Sequence, residues 1–188
     1  MRGIDFNLVV GGTISGTVYD ESNGFPLSGV EVSVDRFEGG AHVDDRTNVE
    51  GVFNLRGLAP GSYQVWINAQ ERGYVGEYYD DRLSWDDADL VAMFRTDHVT
   101  GVDFGLARGA TISGIVIDGD TGLPIPDMEV RAELDGYHLS WSVTDKDGIY
   151  TLLGVPDGGI DVVVWGQGYL EQRKSITVRG VADYTLDF

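Results

Sequence analysis

The stretch GGTISGTVYDESNGFPLSGVEVSV, residues 11–34, returns as GATISGIVIDGDTGLPIPDMEVRA, residues 109–132. Thr13 matches Thr111, Gly16 matches Gly114, Asp20 matches Asp118 and Pro26 matches Pro124, at a constant offset of 98 residues. A period of that length means two copies of one domain-sized module rather than a solenoid of short units. Each copy reads as strand, turn, strand. Ile14, Gly16 and Val18 alternate with Ser15 and Thr17, a period of two. Asn23-Gly24 and Thr121-Gly122 supply the turn, and Val30, Val32 and Val34 resume the alternation.

The chain of 188 residues therefore divides into two small domains, each able to bury one modest core. The formal net charge is −18, with 31 Asp and Glu against 13 Lys and Arg. Such a surface repels nucleic-acid phosphates and has no attraction for anionic lipid. No apolar run is long enough to span a bilayer. The opening residues lack the charged start and apolar core of a signal peptide. Without cysteine the chain has neither a disulfide framework nor thiol chemistry. The acid excess fits three readings: solubility of an exposed surface, a high-salt habitat, or cation binding by clustered carboxylates. Solubility is the favoured one.

Gly3-Ile4-Asp5-Phe6-Asn7-Leu8 precedes the first copy, and Gly101-Val102-Asp103-Phe104-Gly105-Leu106 precedes the second. The later instance closes the first module. By analogy residues 1–9 are expected to be the closing strand of a preceding, truncated module. Module one then covers 10–108 and module two 109–188. Tyr184, Leu186 and Phe188 alternate like Val102, Phe104 and Leu106, and are read as their equivalents. Seven short strands are expected in each module, with Gly- and Pro-rich turns between them and no helical period. Val32, Phe53, Val65 and Phe104 are assigned to the core of module one. The fold class is all-β, two tandem seven-stranded Greek-key β-sandwiches.

The order ISGxVxD, TGxPxxxxxV, TDxDGxYxLxGVPxG and then GY resembles the carboxypeptidase regulatory-like family. The resemblance covers both modules. Module one departs from it at Asn48 and Glu50, where module two has Asp145 and Asp147. It implies a transthyretin-like (prealbumin-like) sandwich related to the B-type repeats of collagen adhesins. It also implies a secreted or surface protein in which such modules are spacers or accessories, and no reaction.

The modules differ after their Gly-Tyr pairs, Gly73-Tyr74 and Gly168-Tyr169. Module one carries a long acidic and aromatic loop, residues 74–90, expected beside the junction of the two modules. Tyr78, Tyr79 and Trp85 could stack on a sugar ring, against the plainer reading that they cover the module edge. Asp80, Asp81, Asp86 and Asp87, with Asp118, Asp120, Asp145 and Asp147 in module two, are the candidate Ca²⁺ ligands. The plainer reading of these aspartates is turn capping through their own side chains. No other cofactor is expected. Arg82 and Arg108 are alternatives to a cation for relieving carboxylate repulsion in the loop.

His42, His98 and His138 form no zinc pair, and no Gly-x-Ser-x-Gly elbow is present. The Tyr-Arg-Gly-Ser ending of the fold's hydroxyisourate-hydrolysing relative is also missing. Lys146 and Lys174 lack the early-strand placement that isopeptide cross-links of the adhesin relatives need. The sequence thus reads as a non-catalytic spacer or adhesive stalk from a larger extracellular or cell-surface protein. Its partners would be neighbouring modules of the same chain, with carbohydrate or a surface protein as further candidates, and neither nucleic acid nor inserted membrane. The alternative function is a carbohydrate-binding accessory module that uses the long loop.

Overall fold

The computed structural model describes residues 8–40, 42–95 and 97–188. Among them the chain is all-β, with one 3-10 turn at Gln70–Arg72. It forms two compact units. The first runs to Tyr19 and adds Phe25–Ile67 and Tyr78–Phe104. The second comprises Asp20–Gly24, Asn68–Glu77 and Gly105–Phe188. The units do not follow the repeat, which assigns Asp20–Gly24 and Asn68–Glu77 to the first copy.

The second sandwich has seven strands: β10 (Ala110–Ile115), β11 (Glu129–Leu134), β12 (Tyr137–Val143), β13 (Ile149–Val155), β14 (Gly158–Trp165), β15 (Gln172–Val178) and β16 (Asp183–Thr185). They form two sheets, ordered β13-β10-β16 and β12-β11-β14-β15. The first sandwich repeats this order with nine segments: β1 (Gly12–Asp20), β2 (Glu31–Arg36), β3 (His42–Arg46), β4 (Val52–Leu58), β5 (Gly61–Asn68), β6 (Glu77–Tyr78), β7 (Val91–Met93), β8 (His98–Val99) and β9 (Phe104–Leu106). One sheet runs β4-β1-β8 with β9 also on β1. The other runs β3-β2-β5-β6 with β7 also on β5. The expected seven strands are therefore present, two of them interrupted. The sixth is split into β6 and β7 by the long loop. The seventh is split into β8 and β9 at Gly101, whose φ of 80° only glycine adopts without strain.

The first and closing strands are parallel neighbours in both sandwiches. Thr13 and Ile14 pair with His98 and Val99, and Thr111 to Ser113 pair with Asp183 to Thr185. This pairing explains the glycine of the repeated Ile-Ser-Gly. A Cβ on Gly16 would lie 1.8 Å from the Val102 carbonyl oxygen, and one on Gly114 1.9 Å from that of Leu186. The match also corrects the register read from sequence. Val102 donates its N–H to Ser15, as Leu186 does to Ser113. Thr17 N–H meets the Asp103 carboxylate as Ile115 N–H meets that of Asp187. Phe188 is thus the equivalent of Phe104, not of Leu106. A slip of two residues keeps every side chain on its face, so alternation could not reveal it.

Alternating residues of the two sheets fill each core. Val32, Phe53, Val65 and Phe104 are all buried, as expected. The rings of Phe53 and Phe104 lie 6.3 Å apart, and those of Tyr150 and Phe188 6.4 Å apart. A buried threonine closes the first-to-second connection in each copy. Thr47 Oγ1 donates to Leu27 O and accepts from Val30 N–H. Thr144 Oγ1 does the same with Ile125 O and Met128 N–H. Each hydroxyl satisfies two backbone groups that would otherwise be buried unpaired. Residues 1–7, and with them Ile4 and Phe6 of the proposed opening strand, lie outside the described residues; Leu8, Val9 and Val10 are exposed.

Truncation of Phe53 to Ala is expected to lower stability by about 3–5 kcal/mol in denaturant unfolding. A neutral result would refute the packing of the first core. Gly114→Ala should cost at least the ~1–3 kcal/mol of ordinary overpacking, because a backbone carbonyl cannot rotate away as a side chain can.

Candidate functional site

The two motifs that the repeat marks most clearly, the aspartate ending ISGxVxD and the tyrosine of Gly-Tyr, meet in space. In the second unit, Asp20 is only 2% exposed. Its Oδ1 accepts from Ser22 N–H at 3.0 Å and from Ser22 Oγ at 2.5 Å. Its Oδ2 accepts from the Tyr74 hydroxyl at 2.8 Å and from Arg108 Nε at 3.2 Å. Arg108 Nη2 donates to the Tyr74 oxygen at 2.9 Å, and the guanidinium carbon lies 4.8 Å from the centre of the Tyr74 ring. Backbone pairing reinforces the node. Val75 N–H donates to Ala107 O at 2.9 Å, and Gly109 N–H to Gly73 O at 3.0 Å.

A buried carboxylate is costly unless its lone pairs are met and its charge is opposed. Here both conditions hold. Hydrogen bonds from the Ser22 hydroxyl and then from Tyr74, with the Arg108 charge adding to them, lower the Asp20 carboxyl to about 2. Burial, and then the bond to Asp20, pushes the Tyr74 hydroxyl up.

The second copy has the same pair without the arginine. Asp118 Oδ1 accepts from Asp120 N–H, Thr121 N–H and Thr121 Oγ1, and Oδ2 accepts from the Tyr169 hydroxyl at 3.1 Å. The Thr121 backbone bond is the main cause that lowers the Asp118 carboxyl. Among the described residues no guanidinium reaches this pair.

Sequence reasoning singled out each motif but did not join them. The available signal was their shared recurrence: an aspartate at the end of the first strand in one copy and three residues past it in the other, and a tyrosine that follows the fifth strand in both. Sequence singles out Arg108 only as a partner for the loop carboxylates; the repeat has no counterpart for it within the chain that would tie it to Asp20.

The long loop is an excursion from the edge of its own sheet. Gly61 to Tyr63 pair with Met93 to Val91, and Tyr79 N–H donates to Val65 O further along β5. The aromatic candidates pack inside the first unit. The Tyr78 ring lies 6.0 Å from Trp85, edge to face, and 6.4 Å from Trp66; Tyr79 lies 5.9 Å from Phe104. Gln64 Nε2 donates to Trp85 O at 2.7 Å. Trp85 remains 37% exposed. Burial raises the hydroxyl pKa of both Tyr78 and Tyr79.

The candidate cation ligands are dispersed. Asp80, Asp81 and Asp86 are exposed, and Asp87 accepts from Ser84 Oγ. Arg82 pairs with Asp89 at 3.1 Å, whereas Arg108 goes to Asp20 rather than to the loop. Asp145 Oδ1 caps its turn through the N–H groups of Asp147 and Ile149, as Asn48 Oδ1 does through those of Glu50 and Val52. Asp147 pairs with Lys146, and Asp120 is exposed. Among the described residues no three His, Cys, Asp or Glu side chains come together to hold a metal ion.

The model of the carboxypeptidase regulatory-like domain matches residues 13–80 and again 111–188. The chain belongs to that family. Each of the family's two segments begins on the first strand of a sandwich, and the first ends where the long loop leaves β6. No curated protein matches the chain. Among solved structures, the Bacillus anthracis TIE protein is similar at 18% identity and a TM-score of 0.42 over 94% of this chain and 34% of that one. A streptococcal ancillary pilin is similar at 14% identity and 0.41, over 94% of this chain and 62% of that one. GBS52, the minor pilin of Streptococcus agalactiae, is similar at 13% identity and 0.41, over 94% of each chain. This chain thus spans about a third of the first of these structures. The likenesses are distant and carry no functional weight.

The node predicts a pH dependence. The Asp20 carboxyl titrates near 2 when folded and about 3.9 when unfolded. A depressed folded value gives stability that is present above the unfolded pKa and lost as pH falls through the folded one. The stability difference between the native protein and Asp20→Asn should therefore shrink as pH falls from about 5 to 2. Unfolding midpoints across that range measure it, and a difference independent of pH would show that the carboxylate charge plays no part.

Proposed function

We propose that this chain is a non-catalytic spacer, part of a stalk or adhesive array of a larger extracellular or cell-surface protein. One observation carries the reading. In each sandwich the first and closing strands are adjacent and parallel. A pull on the two ends of a sandwich then runs along these strands and loads their evenly spaced hydrogen bonds together, in shear. Strands unzipped from one end would instead lose their bonds one at a time. Family membership and the duplication of one module agree with this reading. The acidic surface favours solubility of an extended array. Neighbouring modules of the parent chain would be its main partners.

Single-molecule stretching of the full chain from its ends should give two discrete unfolding peaks. Gly114→Ala should lower the force of one peak and leave the other. Extension without peaks would sink the mechanical reading. A glycan array tests the alternative directly. Specific binding lost in Trp85→Ala would replace the spacer by a carbohydrate-binding module using Tyr78, Tyr79 and Trp85.

A further inference from the structure

The second unit contains the Asp-Tyr pair in two conditions, and the contrast shows what one of them is built to receive. Around Tyr74 the pair is closed. Tyr74 is 5% exposed, the next residue, Val75, is 7% exposed, and Arg108 sits over the ring. Around Tyr169 it is open. Tyr169 is 45% exposed and the next residue, Leu170, is 85% exposed. Between them and the end of the closing strand lies a largely apolar cleft of about 420 Å³, lined by Ile117, Ile125, Met128, Tyr169, Leu170 and Phe188.

The corrected register says what belongs there. Phe188 is the equivalent of Phe104, so the position two residues beyond it corresponds to Leu106, which is fully buried. Two residues further corresponds to Arg108. The Glu21 N–H that donates to Leu106 O has that of Gly119 as its equivalent, at the wall of the cleft. The acceptor side of a closed node is thus already assembled at Asp118 and Tyr169. One inward apolar side chain two residues beyond Phe188 and one guanidinium four residues beyond it would complete the node.

We propose that this end of the second unit is a docking site for an extended segment of the form Leu-x-Arg that continues the strand ending at Phe188, the link to another module of the same kind. The leucine fills the cleft beside Phe188 and Met128. The arginine lies over the Tyr169 ring and pairs with Asp118, as Arg108 does with Tyr74 and Asp20. The intervening backbone accepts the Leu170 N–H, as Ala107 O accepts that of Val75. The strongly acidic surface favours a cationic occupant over an anionic one. The proposal rests on the spacer reading for the source of the segment. Its test reads the arginine contact alone, whereas glycan binding bears on the spacer reading alone.

The probe is the full chain extended after Phe188 by Gly-Leu-Ala-Arg-Gly, the sequence of residues 105–109, beside a control extended by Gly-Leu-Ala-Ala-Gly. Hydrogen exchange of the Leu170 amide is the readout. The arginine extension should slow it on the order of tenfold relative to the alanine extension, the scale of a charge-assisted hydrogen bond. Asp118→Asn keeps a turn-capping side-chain oxygen, as Asn48 does in the first copy, and should remove most of that difference. Equal exchange in the two extended chains would overturn the proposal. So would an arginine effect that persists undiminished in Asp118→Asn, since it would then come from the general acidity of the surface.

Discussion

At Gly16 in one sandwich and Gly114 in the other, a carbonyl of the closing strand lies so near the first strand that no side chain fits there. That constraint accounts for the glycine in Ile-Ser-Gly, and it goes with the parallel pairing of the two strands. Because the closing strand runs the same way as the first, it finishes beside the residue that ends the first strand, Asp20 in one copy. Tyr74 follows the fifth strand, which also runs toward that end. Aspartate, tyrosine and outgoing link are thus brought together by strand direction before any side chain chooses a partner. Arg108 then acts on a site that topology has already gathered.

The acidity of the chain has two structural meanings. Aspartates such as Asp118 and Asp145 cap turns, and charge is incidental to that task. Asn48 performs with a neutral amide what Asp145 performs with a carboxylate, accepting two backbone N–H groups from the same positions of the same turn. Asp20 is different. It is buried, it accepts from Ser22, Tyr74 and Arg108, and an amide in its place would remove the ion pair with Arg108. The composition counts these aspartates alike, and only burial separates them.

The long loop shows how an insertion can be large without changing the fold. It leaves and rejoins the edge of a sheet, where one strand face has no further neighbour to lose. Its aromatic residues pack on the unit that carries them, Tyr79 on Phe104 and Trp85 on Tyr78. An acidic, aromatic composition is compatible with a sugar platform. It is equally what a loop needs to cover apolar surface while remaining soluble on its outer side.

The sequence by itself determined the all-β class, the duplicated sandwich and the core residues Val32, Phe53, Val65 and Phe104. Period-two alternation and repeated turn chemistry are local properties, written in consecutive residues. It also marked Gly16, Asp20 and Tyr74 as special by repeating them. Tertiary structure alone decided why they are special: the approach of Val102 O to Gly16, and the meeting of Asp20, Tyr74 and Arg108 across 88 positions of chain. It alone decided the register of the last strand, since alternation is blind to a shift of two. Pairing between distant strands has no period to read, and it is pairing that gathers these residues at one end of a sandwich.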